Sequence, residues 1–175
     1  MDQLREVISD ITEGLAIELE LLLNQPVELS EFSLGEDQPG DGFILRAANG
    51  DFHFHVKTYL VDEKHEVNLL YIDELMPSPR QQAMQYATVH AGILSAIHIF
   101  KVVQENIVVD RRAVDPFEVE SAALFVFDDD SHWLLYPGAA DSAKTEIATD
   151  TDFILDTINE MGLVSSRMLT LLERA

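Results

Sequence analysis

A chain of 175 residues that is 47% hydrophobic and 25% charged has the composition of a folded globular protein rather than a disordered one. Its 32 acidic against 11 basic residues give a net charge of -21, which repels nucleic-acid phosphates and anionic lipid headgroups and argues against binding either directly. The absence of cysteine excludes disulfides, a thiolate nucleophile and zinc–thiolate sites; with an acid-interrupted N-terminus that carries no export signal, it points to a cytoplasmic protein.

Residues 1–175 read as a single domain without internal repeat or linker. Leu4, Val7, Ile8, Ile11, Leu15, Leu19 and Leu22 recur at three- and four-residue spacing, which predicts an amphipathic helix over 2–24, stopped by Pro26. Val27 and Leu29, then Phe32 and Leu34 after a phase slip, predict a short strand before a polar, turn-rich loop from Gly35 to Gly42. Asn49-Gly50 between two alternating runs predicts a two-residue hairpin. That turn pairs Ala47 with Phe52, Leu45 with Phe54 and Phe43 with Val56, so Phe43, Leu45, Ala47, Phe52, Phe54 and Val56 share a core face. On the other, partly wet face it sets Arg46 across from His53 and Ile44 across from His55.

A second hairpin turns at Asp62-Glu63-Lys64, and its return strand, His65 to Ile72, alternates Val67, Leu69 and Tyr71 with Glu66, Asn68, Leu70 and Ile72. Apolar residues on both faces predict an interior strand, or one whose outer face meets a helix or a second subunit. Ser78-Pro79-Arg80-Gln81 has the residues of a helix start, and the helix is expected to run to about Glu105. Ala83, Ala87, Ala91 and Ser95 form a small-residue row on it, with Ile93, Leu94, Ile97, Ile99 and Phe100 around most of the circumference. A helix apolar on most sides is buried on most sides, as a central element or as a homodimer seam. Ile107 to Val109 predicts a short strand, and Phe117 to Phe127 with His132 to Tyr136 a further pair joined by Asp128 to Ser131. A polar tract from Ala139 to Ala148 leads to Asp150, which caps a last helix carrying Ile154, Ile158, Met161, Met168 and Leu172. The predicted fold is α+β: an antiparallel sheet of about five to seven strands flanked by three helices, N-terminal, central and C-terminal.

His53-Phe54-His55 places two imidazoles on one side of a strand, a pair that ligates a metal when a neighbouring strand supplies a third ligand. No third ligand is evident, and an arginine across from His53 opposes a cation, so these read as half-exposed sheet histidines and no metal is expected. His90 and His98 are too far apart along a helix to ligate together. Asp128-Asp129-Asp130 lacks the glycine and glutamate of a calcium loop and reads as a solvated turn. Ser131-His132 are merely adjacent, and a nucleophile and its base are recognised by geometry, not by sequence neighbourhood. With no phosphate-cradling loop, nucleophile elbow or dinucleotide fingerprint, neither catalytic residue, cofactor nor small-molecule ligand is expected.

The order of the stripe Leu4 to Leu22, the strands Phe43 to Ile72, the alanine-rich helix Ala83 to Phe100 and the closing helix Ile154 to Leu172 resembles the class I type III secretion chaperones and related chaperone-like domains. The resemblance implies a non-enzymatic homodimer that holds a segment of a partner protein. It implies client contact by Ile44, Leu70 and Ile72 on the sheet's second face, and a dimer seam at Ala87, Ala91 and Ser95. The alternative is an acidic inhibitor or immunity-type protein, a nucleic-acid mimic in charge, that blocks a basic site on another protein.

Overall fold

The computed structural model describes residues 6–33, 42–48, 50–61, 65–75, 85–105, 107–137 and 145–170. They form a mostly antiparallel β structure with two helices. The strands are β1 (Glu6–Ile8), β2 (Pro26–Ser33), β3 (Phe43–Ala47), β4 (Gly50–Val61), β5 (His65–Leu75), β6 (Gln85–Gln104), β7 (Val108–Val109), β8 (Arg112–Ala113), β9 (Phe117–Phe127), β10 (His132–Pro137), β11 (Thr145–Ala148) and β12 (Leu163–Thr170). The helices are α1 (Glu13–Glu20) and α2 (Thr151–Met161). Neither is long and apolar enough to cross a membrane.

This corrects the expectation of a smaller sheet flanked by three helices. The predicted central helix is β6, a strand of 20 residues around which the sheet is organised. Thr88, Val89, Ile93, Ile97, Ile99, Val102 and Val103 crowd it with β-branched side chains, whose stiff χ1 favours the pleated backbone. Its apolar residues surround the chain because a central strand is buried on both faces: Ile97 and Ile99 point into the main core, and Phe100 into a second cluster. The predicted cap at Ser78 to Gln81 lies outside the described residues.

The sheet runs β11-β10-β9-β6-β2-β3-β4-β5, with β1 beside β9 and β12 beside β6. Its two halves meet on β6, whose residues 85–93 pair with β2 and 94–104 with β9. Bulges mark the transition, one opposite Leu29/Ser30 and one at Ser95, between Leu94 and Ala96. Such bulges bend a strand and increase its twist. The halves pack face to face, with Phe54 of β4 set edge-on to Phe125 of β9 at 4.9 Å. The Ser121 hydroxyl of β9 donates to the Asn68 carbonyl of β5 at 2.7 Å, a bond between strands that do not pair.

The N-terminal stripe folds in two pieces. Val7 and Ile8 belong to β1, which runs parallel to β9; Thr12 then starts α1, its Oγ1 accepting the Leu15 amide at 3.1 Å. Leu19 and Leu22 of the predicted stripe cover the core, and Leu23 joins them. The last helix stops earlier than predicted, because Gly162 takes φ 64°, and the chain continues as β12, which carries Met168. Asp150 is the cap that the sequence indicated: its Oδ1 accepts the Phe153 amide at 3.0 Å. α2 packs Ile154 against Leu124, Leu134 and Tyr136 on the outer face of β9 and β10.

Candidate functional site

The β3–β4 hairpin forms, but its register differs from the one the Asn49-Gly50 turn implied. Ala47 pairs with Gly50, Arg46 with Asp51, Ile44 with His53 and Phe43 with Phe54. A displacement of two residues preserves side-chain parity, so Phe43, Leu45, Phe52, Phe54 and Val56 still share the core face. What changes is the other face. Arg46 is not opposite His53; its guanidinium lies 3.8 Å from both Glu28 and Asp51.

The partner of His53 is on β5 instead. β4 and β5 pair from Asp51↔Leu75 to Val61↔His65, and this ladder sets Asp73 directly across from His53 and Tyr71 across from His55. The His53 and His55 rings stack with centroids 4.2 Å apart, nearly parallel at 8°. His55 Nε2 lies 2.7 Å from Asp73 Oδ2, a hydrogen bond in which the ring donates. The His55 ring is wedged beneath its neighbours, its residue 2% exposed, and its Nδ1 has no hydrogen-bond partner among the described residues. The Asp73 side chain, 55% exposed, opens the group to solvent. One ligand atom from each of His53, His55 and Asp73 lies within 4.8 Å of the others. Gly42, at φ 79°, is the close backbone neighbour: a methyl there would strike the Phe54 carbonyl oxygen and come within 2.9 Å of His55 Cβ. Tyr71, stacked on His55 at 5.7 Å, has its phenol pushed up by burial and then by the Asp10 carboxylate, with smaller contributions from Tyr59 and Asp73.

A second polar group surrounds His90 on β6. Its Nε2 lies 3.0 Å from Ser131 Oγ and 3.5 Å from Asp129 Oδ2. Although serine, histidine and aspartate meet here, the Ser131 hydroxyl donates to Asp129 itself, and both contacts reach the same ring nitrogen. A nucleophilic triad needs the carboxylate on the far nitrogen, so the group is a fastened turn. The Ser131 hydroxyl, then its backbone amide, holds the Asp129 carboxyl below its ordinary range. His98, beyond reach of His90 in this arrangement, contacts Ser165 Oγ at 2.7 Å, and burial lowers its imidazole.

The residues expected to contact a client are core. Ile44 is 1% exposed, Leu70 0% and Ile72 4%. Leu70 and Ile72 lie across from Val56 and Phe54, on the inner side of the sheet, because β5 faces the opposite way from the expectation and is the last strand of the path rather than an interior one. Ala87 and Ala91 are exposed and Ser95 half-buried, but on a strand; Ser95 is the bulged residue, so the three do not form the stripe of a helical seam.

What β6 offers at Ala87 and Ala91 is an edge. Residues 85–93 pair with β2 on one side, and among the described residues no strand pairs with the other. Leu94 directs its amide and carbonyl to Gln25 and Asn24 on the β2 side, while the Ile93 carbonyl accepts from the Asp128 amide on the opposite side. Alternation then places the Ala91 amide and carbonyl on that open side. Beside it, Pro26, Glu28, Arg46, Asp51, Ala91 and Gly92 line a shallow cleft of about 360 Å³. Glu28 pairs with Ala91 and Glu31 with Ala87, so carboxylates border this stretch. Comparison of the chain with protein families, with curated proteins and with solved structures finds no match.

Proposed function

We propose that this chain is a non-enzymatic protein-binding module that takes an extended segment of a partner protein by strand addition along residues 85–91 of β6. The observation that carries the reading is the one-sided pairing of that stretch among the described residues. An unpaired strand edge presents main-chain donors and acceptors at the spacing a second strand needs. Small side chains at Ala87 and Ala91 leave room for that strand to approach, and Glu28 and Glu31 beside them, on a chain of net charge -21, favour a segment flanked by lysine or arginine. The homodimer is the self-complementary form of the same contact, two copies pairing edge to edge in place of the helical seam.

Ala91→Pro removes the outward amide and is expected to leave the β2 ladder intact, since Ala91 pairs with β2 through neither of its backbone groups. Wild-type protein immobilised and exposed to extract of its native source should retain its partner in ~1 M salt, and the variant should lose it, with a dissociation constant raised at least about tenfold. Sedimentation of both proteins reads the homodimer in the same way. Equal retention by the two proteins would reject the edge. The acidity itself favours a second reading, an inhibitor that fills a basic groove; there the partner dissociates as salt rises and the Ala91 substitution has no effect.

A further inference from the structure

The geometry points to a metal site: we propose that His53, His55 and Asp73 bind one divalent transition-metal ion, with Zn2+ as its representative. The inference goes beyond the strand-addition reading and uses β4 and β5, three and four strands along the sheet from β6.

Two imidazoles and one carboxylate form a donor set suited to zinc and its first-row neighbours, whereas calcium and magnesium take oxygen donors almost alone. The three groups share one face of two paired strands, with His53 and Asp73 directly opposed, so the backbone ladder fixes their approach. Their ligand atoms lie within 4.8 Å of one another. Short rotations of half-buried His53 and exposed Asp73 bring them to the ~2.0–2.2 Å that zinc–nitrogen and zinc–oxygen bonds require. His55 cannot swing away, since it is 2% exposed and Gly42 lies against its Cβ.

The second observation is the short contact within the group. His55 Nε2 and Asp73 Oδ2 lie 2.7 Å apart with one proton between them, so an ion bound by both atoms takes the place of that proton and releases it. Arg46, on the same face, pairs with Asp51 rather than His53, and its guanidinium lies 3.8 Å from both Glu28 and Asp51. Three protein ligands with Asp73 at the mouth leave a coordination position to solvent, the pattern of an accessible rather than a closed structural site.

The test titrates the full chain, stripped with chelator, with ZnCl2 by calorimetry, and repeats the titration on His53→Gln and Asp73→Asn. Both substitutions fall on side chains outside the packed core, and circular dichroism checks that the sheet is retained. The expected result is one equivalent bound by the wild type, with a raised thermal midpoint, and affinity at least about tenfold lower in each variant. Mg2+ at the same concentration should not raise the midpoint. Ala91→Pro should bind Zn2+ as the wild type does, which separates this site from the proposed partner edge. Zinc uptake that is unchanged in both variants, or shared by Mg2+, would mean that the acidic surface alone collects cations and would overturn the proposal, as would the absence of stoichiometric binding.

Discussion

Glu120 on β9 is 0% exposed, and its two carboxylate oxygens are both engaged. Arg167 Nη2 donates to Oε1 at 2.8 Å and its Nε to Oε2 at 3.0 Å, while the Ser166 hydroxyl donates to Oε2 at 2.8 Å. Ser166 reaches it because β12 bulges there, between Ser165 and Arg167. A buried carboxylate without its counter-ion is strongly disfavoured, so Arg167→Met should cost about 2–3 kcal/mol, toward the low side because the arginine is partly exposed. The measurement is a lower urea midpoint at unchanged slope. Adding Glu120→Met should recover most of the loss, because a packed apolar pair removes the stranded charge. Nothing local in the sequence marks this pair, whose members lie 47 residues apart. Asp73 differs. Val61 pairs with His65, and counting back along that ladder puts Asp73 across from His53, so the third member of the group follows once the second hairpin is placed from the sequence. Arg46 concealed it, because the Asn49-Gly50 signal misplaced the first hairpin by two residues.

Among the elements, α2 answers most directly to local signals. Its start is a capped one, so Asp150→Ala should cost about 1 kcal/mol, read by chemical denaturation, with the loss smaller for Asp150→Ser because serine can also accept the amide. Its end is set by Gly162 in the left-handed region. The periodic residues Met168 and Leu172 beyond that glycine misled the helical reading: once the helix ends, β12 needs only alternation, and Leu163 and Leu169 supply its buried contacts. β9 and β10 were legible to within a residue, β10 ending at Pro137 rather than Tyr136, since two apolar runs flank a polar turn. β6 was not. A run that is apolar all round fits a buried helix and a central strand equally well, and periodicity alone does not decide between them. Its β-branched residues were the local sign of a strand, and its alanines the competing sign of a helix.

At the scale of the whole molecule, a net charge of -21 produces self-repulsion that is greatest in the compact state. Added NaCl should therefore raise the thermal midpoint, by about 2–4 °C for each ~1 kcal/mol of repulsion screened; a midpoint that falls as salt rises from 0.02 to about 0.5 M would contradict this account. Length, acidity, the alternating face Phe43 to Val56, the β9–β10 hairpin and the Asp150 cap were determined by the sequence alone, because each depends on residues a few positions apart and on side-chain parity. The strand character of β6, the burial of Ile44, Leu70 and Ile72, the Glu120–Arg167 pair and the one-sided pairing at Ala91 among the described residues were decided only in the tertiary structure. Each depends on which distant strand lies alongside, and that pairing decides which faces and edges remain exposed to water.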